Sequence, residues 1–199
     1  MDGIERATLR SRAWRVVSER IVVPAALGRS TLVDTAEVLQ LGCGAGFETA
    51  AIARRYPGWR ILGIDLDPDV VELARRRVSA SNVRLEVADA TRLEWPDASF
   101  DVVFAALVWH HIPDWRAATR EAARILRRDG TFVLLDVVTP RTDSCGPNPL
   151  ATGYSYEALL ATLAQVGFER HRGRRFDGLA YSLHARRTEP TETVGPHCW

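Results

Sequence analysis

Between Glu37 and Tyr56 the chain reads EVLQLGCGAGFETAAIARRY, with glycines at 42, 44 and 46 directly after an apolar run. Glycines at a strand-to-helix turn let the backbone approach a ligand closely. The helix that follows offers free N–H groups and the positive end of its dipole to an anion. Asp65 lies 19 residues beyond Gly46, at the end of a second apolar run. A carboxylate there can accept both hydrogens of a ribose diol. Asp89 closes a third run, where an acid can take a hydrogen bond from an exocyclic amine and the Ala90 N–H can serve a ring nitrogen. Each feature has a plain alternative: a tight turn without a ligand, a turn aspartate before Pro68, a cap at Asp89. The three together, at the ends of successive strands, point to an adenosine-containing cofactor. The dinucleotide fingerprint GxGxxG would need its third glycine at residue 47, where Phe47 stands.

His110 and His111 follow a fourth apolar run and precede Pro113. A histidine there can remove a proton from a hydroxyl or amine substrate. The alternative is packing and loop geometry, and the sequence does not choose between the two residues. A metal held by both histidines and Asp136 is not expected, because adjacent side chains on one strand point apart and no third ligand has a recognisable spacing. Trp14, Trp109 and Tyr154 are candidate walls for a substrate, with ordinary packing as the plainer account.

These residues require a scaffold of alternating strands and helices. The spacing predicts an amphipathic helix over 4–27, closed by Pro24 and Gly28. Strands are predicted at 37–41, 60–65, 83–89, 100–108 and 131–138. Helices are predicted at 47–56, 68–79, 113–128 and 155–166, with Pro68 in a first turn, Ser155 as N-cap and Gly167 as terminator. Residues 139–154 read as a loop, and two alternating runs joined by Asp177-Gly178 read as a hairpin. This is a doubly wound, Rossmann-like α/β sheet, mostly parallel, that ends in an antiparallel hairpin. Residues 1–187 are expected to form one domain: a helical cap at 1–30, a cofactor core at 37–138 and a substrate side at 139–187, followed by a tail at 188–199.

The 199 residues are 46% hydrophobic and carry a formal net charge of +1. That length suits one domain with a real core, and that balance gives no electrostatic case for nucleic acid or an anionic membrane. All 26 basic residues are arginine, clustered at 54–55, 75–77 and 127–128 on predicted helices, as solvated faces. The three cysteines include no CxxC pair, which fits a reducing compartment and a cytoplasmic location. No apolar run approaches the ~20 residues of a membrane span.

The segments VLQLGCGAG, GIDLDP, ADATRLEWPDASFDVV, LVWHHIPDW and EAARILRRDGTFVLLD keep their order and spacing over residues 37 to 138. In these the chain resembles the class I S-adenosylmethionine-dependent methyltransferases of the small-molecule type. The resemblance implies a seven-stranded sheet and S-adenosylmethionine as cofactor. Gln40, Leu41, Gly42, Cys43, Gly44 and Gly46 would hold the methionyl part. Asp65 would bind the ribose, Leu66 would lie against the adenine, Asp89 and Ala90 would read its edge, and Ala106 would line the methionine end. The implied reaction is in-line methyl transfer to a small molecule with release of S-adenosylhomocysteine. Such transfer obliges neither a nucleophilic side chain nor a metal. Gln40 departs from the family, which usually carries an acid there. The N/D-P-P-Y/F signature of many DNA and protein methylases is absent, AALVWHH standing in its place. The implied partner is therefore a small molecule, with neither nucleic acid nor membrane, for a monomer or homodimer. Two alternatives stand beside this reading: an inactive cofactor-binding partner subunit and a nicotinamide-dependent oxidoreductase.

Overall fold

The computed structural model describes residues 12–28, 33–137, 155–176 and 180–188. Seven strands form one sheet in the order β3-β2-β1-β4-β5-β7-β6. They are β1 (Ala36–Leu41), β2 (Trp59–Asp65), β3 (Val83–Val87), β4 (Phe100–Ala106), β5 (Leu126–Val137), β6 (Phe168–Phe176) and β7 (Ala180–Arg187). The first five pair in parallel, while β7 runs antiparallel to both β5 and β6. The doubly wound sheet with an antiparallel end is thus the observed architecture.

Successive side chains on a strand face opposite ways, and both faces here are buried. Leu39, Leu41, Val103, Ala105, Phe132 and Leu134 share one core with α5 (Trp115–Ile125) and α6 (Tyr156–Gln165). Val38, Val102, Phe104, Val133 and Leu135 share the other with α2 (Val23–Leu27) and α3 (Phe47–Arg55). Strands covered on both sides read as unbroken apolar runs, which is what β4 and β5 show. The cap comprises α1 (Arg12–Val17), a π-helical turn (Ser18–Val22) and α2. Pro24 stands in the first turn of α2 instead of closing the helix, and Gly28 ends it. The remaining helix, α4 (Pro68–Arg77), is capped by Asp67, whose side chain accepts from the N–H groups of Asp69 and Val70.

Several boundaries differ from expectation. β3 stops at Val87, and β4 stops at Ala106 because Leu107 takes a left-handed φ of 54° that a strand does not allow. The helix predicted over 113–128 is α5, which yields to β5 at Leu126. Phe100 pairs with Leu126 and Val102 with Thr131, so residues 127–130 bulge out of the strand, with Asp129 at φ 63°. Arg127 therefore lies on a strand bulge, paired with Asp101 at 2.7 Å, and not on a helix. At α6 the Ser155 side chain accepts from Ala158 N–H at 3.1 Å, and Gly167 follows with φ 84°, as expected. Residues 4–11, the 139–154 loop and the hairpin turn, apart from the ends named above, lie outside the described residues. No helix among the described residues is long and apolar enough to cross a membrane.

Candidate cofactor and acceptor site

β1 ends between β2 and β4, with Leu41 paired to Ile64 on one side and to Ala105 on the other. The glycine loop leaves the sheet here. Cys43 N–H donates to the Ile64 carbonyl at 2.8 Å, and Gly46 N–H returns to the Cys43 carbonyl at 2.9 Å. Gly42, Gly44 and Gly46 take φ values of 66°, 51° and 82°. Two of them need glycine for different reasons. A Cβ on Gly42 would lie 2.8 Å from Val108 Cβ and would collide with Val108 Cγ2 as well. A Cβ on Gly44 would meet nothing within 4 Å. Gly42 is therefore packed against the segment that follows β4, whereas Gly44 faces open space.

The other loop residues fix that geometry. The Cys43 side chain is fully buried, and burial pushes its thiol well above the ordinary range, so the thiol packs in the core beneath the loop. Arg77, on α4, donates from Nη1 to the Ala45 carbonyl and lays its guanidinium 3.8 Å over the Phe47 ring. Gln40 is buried, and its Oε1 accepts from Thr49 Oγ1, on α3, at 2.7 Å. Among the described residues its amide Nε2 makes no hydrogen bond.

Asp65 joins the loop to the next strand end. Its Oδ2 accepts from Gly44 N–H at 2.9 Å and its Oδ1 from Asp67 N–H at 3.2 Å. The Asp65 carbonyl accepts from Ala88 N–H at 3.1 Å, which brings the residues after β3 alongside. Asp89 Oδ1 accepts from both Thr91 N–H and Thr91 Oγ1, so the residue also caps its own turn. Leu66 is 70% exposed, an apolar side chain left uncovered beside these two carboxylates. An acid, an apolar face and a second acid with a neighbouring N–H thus stand together, next to a loop with room at Gly44. That arrangement fits an adenosine cofactor with a small polar end.

The N-terminal cap reaches the same corner. Ser18 Oγ donates to Glu48 Oε1 at 2.6 Å, and Trp14 bonds the same carboxyl. Burial pushes the Glu48 carboxyl up, against the effect of these two bonds. Glu48 lies in the first turn of α3, so Trp14 clamps the cap onto the helix that follows the glycine loop.

The segment after β4 is built differently from expectation. Leu107 N–H donates to the Leu135 carbonyl at 2.8 Å, and Trp109–His111 then form a 3₁₀ turn. This turn rolls Trp109 into the core. It is fully buried, with its ring centroid 5.2 Å from that of Phe132, so it does not wall an open cleft as the sequence suggested. Among the described residues its Nε1 and the Tyr181 hydroxyl are buried without a hydrogen-bond partner. The turn also brings the two histidine rings together, with centroids 3.9 Å apart, because they are not on a strand. The premise that their side chains point apart is thereby corrected. Even so, no group of three metal-ligating side chains occurs among the described residues.

The two histidines differ. His111 is exposed, whereas His110 is buried against Asp136. The His110 N–H donates to Asp136 Oδ2 at 2.9 Å, and its ring Nδ1 lies 2.5 Å from Asp136 Oδ1. Asp136 has no exposed surface, and its Oδ1 also accepts from Val137 N–H at 2.8 Å. Tyr154 lies outside the described residues. Sequence reasoning missed Asp136 as the histidine's partner, although an acid inside the apolar run TFVLLDVV is a visible signal. It also missed Thr49, Glu48 and Arg77, for which the spacing carries no signal.

Residues 39–134 match a family model described as a methyltransferase domain. An uncharacterized methyltransferase of Bacillus subtilis is 35% identical over 118 residues, covering 55% of this chain and 46% of that protein. The O-methyltransferase cnsE of Penicillium expansum is 32% identical over 145 residues, 66% of this chain and 51% of that one. The demethylmenaquinone methyltransferase of Deinococcus radiodurans is 33% identical over 137 residues, 68% and 54% of the two chains. The chain thus spans about half the length of these curated relatives. Among solved structures, a SAM-dependent methyltransferase from Aquifex aeolicus superposes with a TM-score of 0.76 at 19% identity, over 94% of this chain and 98% of that one. One from Mesorhizobium loti does so with a TM-score of 0.68 at 20% identity, over 82% and 96%. At such identities the likeness is one of fold, and it agrees with the sheet order and with the family model. Residues 39–134 thus match a methyltransferase domain in sequence, and the chain shares its fold with solved SAM-dependent methyltransferases.

Proposed function

We propose that the protein transfers a methyl group from S-adenosylmethionine to a small-molecule acceptor. The observation that carries this is the loop at 42–46: its middle glycine faces open space while its N–H is tied to the Asp65 carboxylate. The backbone from Gln40 to Gly46 would hold the methionyl part, Asp65 the ribose, and Leu66, Asp89 and Ala90 the adenine, with Ala106 at the methionine end. Bound there, the cofactor supplies a methyl group already activated by its sulfonium charge. The chain then has to hold an acceptor in line and keep water out, and correct placement alone can lower a barrier by ~7–11 kcal/mol.

One feature favours this over a nicotinamide cofactor. Phe47, at the position of a dinucleotide loop's third glycine, is buried beneath the Arg77 guanidinium. A small acceptor is favoured by the near-neutral charge and by the names of relatives, which include a demethylmenaquinone methyltransferase and a 2-methyl-6-phytyl-1,4-hydroquinone methyltransferase. Calorimetric titration tests the reading: S-adenosylhomocysteine should bind and NAD should not. Binding of NAD alone would overturn it. Release of S-adenosylhomocysteine in the presence of acceptors separates an enzyme from an inactive partner subunit.

A further inference from the structure

The contacts of His110 divide its two ring nitrogens. Nδ1 lies 2.5 Å from a carboxylate oxygen that has no exposed surface. Among the described residues Nε2 has no hydrogen-bond partner, and it is not one of the sealed orphan atoms of the core. The His110 side chain keeps 10% of its surface, so the ring is held at its back and reachable at one edge.

Asp136 is arranged to hold it. Its two oxygens accept the backbone N–H groups of His110 and Val137, neither of which can act as an acceptor. A carboxylate that accepts both is left to accept at the ring as well, which places the hydrogen on Nδ1 and the lone pair on Nε2. The backbone bond from His110 to Asp136 Oδ2 fixes the turn as well as the ring, so the dyad is positioned twice by one side chain. The turn begins directly after Val108, the residue packed against Gly42, so the free edge belongs to the segment that borders the glycine loop.

We propose that His110 is the general base of this site, that Asp136 is its positioning residue, and that the acceptor presents a hydroxyl group. The proposal rests on the methyl-transfer reading above. A thiol is already near its ionisation at neutral pH, with a pKa of ~8.5, and a neutral amine carries an available lone pair. A hydroxyl keeps its proton until a base takes it, and an imidazole with a buried acid behind it can serve as that base. In the step, the acceptor's O–H proton passes to His110 Nε2. The oxygen's electron pair forms the new O–CH₃ bond. The C–S bond breaks, and its electron pair stays with the sulfur, which leaves as a neutral thioether. The imidazolium formed faces Asp136 and returns its proton to water on product release.

The test has two parts. In protein labelled with ¹⁵N-histidine, the ring nitrogen shifts of His110 at a pH where it is neutral should show the Nδ1–H form in the wild type. Asp136→Asn should move the population toward the Nε2–H form. An Nε2–H ring in the wild type overturns the proposal without any substrate, and it stands as the decisive measurement if Asp136→Asn fails to fold. In the second part, release of S-adenosylhomocysteine is followed with phenol, aniline and thiophenol derivatives of matched skeleton. Hydroxyl members should be methylated. His110→Ala should lower kcat ~100-fold or more, and Asp136→Asn about tenfold or more, with the KM for S-adenosylmethionine unchanged. Methylation of amine or thiol members alone, full turnover by His110→Ala, or cofactor binding with no hydroxyl member methylated each overturns it. Failure to bind S-adenosylhomocysteine at all would instead refute the methyl-transfer reading.

Discussion

Replacing Gly44 by alanine adds one methyl group at the point where the glycine loop faces open space, and replacing Gly42 adds the same methyl group where the loop is packed. The backbone cost is shared. Both residues have positive φ, 51° and 66°, and an L-residue held there loses ~1–2 kcal/mol. The steric cost is not shared. At Gly42 the new Cβ would stand 2.8 Å from Val108 Cβ, and forcing a methyl group into a packed site costs a further ~1–3 kcal/mol. At Gly44 it meets nothing within 4 Å. Gly42→Ala should therefore lower stability by about 2–5 kcal/mol, and Gly44→Ala by about 1–2 kcal/mol. Binding should rank them the other way. The Gly44 N–H bond to Asp65 survives the substitution, but the added methyl group takes space that the proposed methionyl site would use. S-adenosylhomocysteine affinity should fall tenfold or more, which is ~1.4 kcal/mol or above. Urea unfolding gives the stabilities and calorimetry the affinities. Wild-type affinity in Gly44→Ala would show that the cofactor does not use this space. Equal stability of the two variants would show that the Val108 contact does not constrain the loop.

Three further outcomes are expected. Thr49→Val leaves Gln40 Oε1 buried without its donor, so urea unfolding should show a loss of ~1–3 kcal/mol; an unchanged midpoint would mean the amide finds another partner. Asp65→Asn keeps one acceptor where Gly44 N–H and Asp67 N–H now have two, and removes the charge that would meet the ribose diol; calorimetry should show S-adenosylhomocysteine bound at least tenfold more weakly, and urea unfolding a loss of ~1–3 kcal/mol. Burial raises the folded-state pKa of Glu48 above its ordinary 4.5, so the folded protein holds that proton more tightly than the unfolded chain. Its contribution is complete below 4.5 and is lost as pH rises through the folded value. Relative to Glu48→Gln, the wild type should thus lose stability as pH increases across that window, and a constant difference in urea midpoints would refute it.

The glycine loop and its two acids were legible because their determinants are local. Three glycines in five residues can only mark a turn, and Asp65 ends an apolar run two residues ahead of a helix N-cap. Strand and helix periods therefore place the loop and both carboxylates without any knowledge of packing. The acceptor half was less legible because it rests on contacts between distant segments. His110 and Asp136 are 26 residues apart and meet only when β4 and β5 pair side by side. Extending the expected strand to Val108 and treating the two histidines as strand neighbours set their rings on opposite sides, with Trp109 as a candidate wall. A single left-handed residue, Leu107, reverses both. The overrun of α5 into β5 has a similar origin. Ile125 and Leu126 are both apolar and both buried, so either period accepts them, and pairing with Phe100 decides.

The hairpin has a consequence for how the chain assembles. β6 precedes β7 in the chain yet lies outside it, so β6 cannot join the sheet until β7 has docked on β5. The five parallel strands that carry the cofactor corner all come from residues 36–137 and pair in an unbroken block. During synthesis that block is complete while β5 still presents an unpaired edge, and it stays so until Ala180–Arg187 has emerged. Open strand edges are where chains associate wrongly. The interval between the two events is therefore the period of greatest exposure for the nascent chain. A chain cut short before β7 would keep its nucleotide corner while leaving Asp136, the strand partner of Tyr181, on an open border.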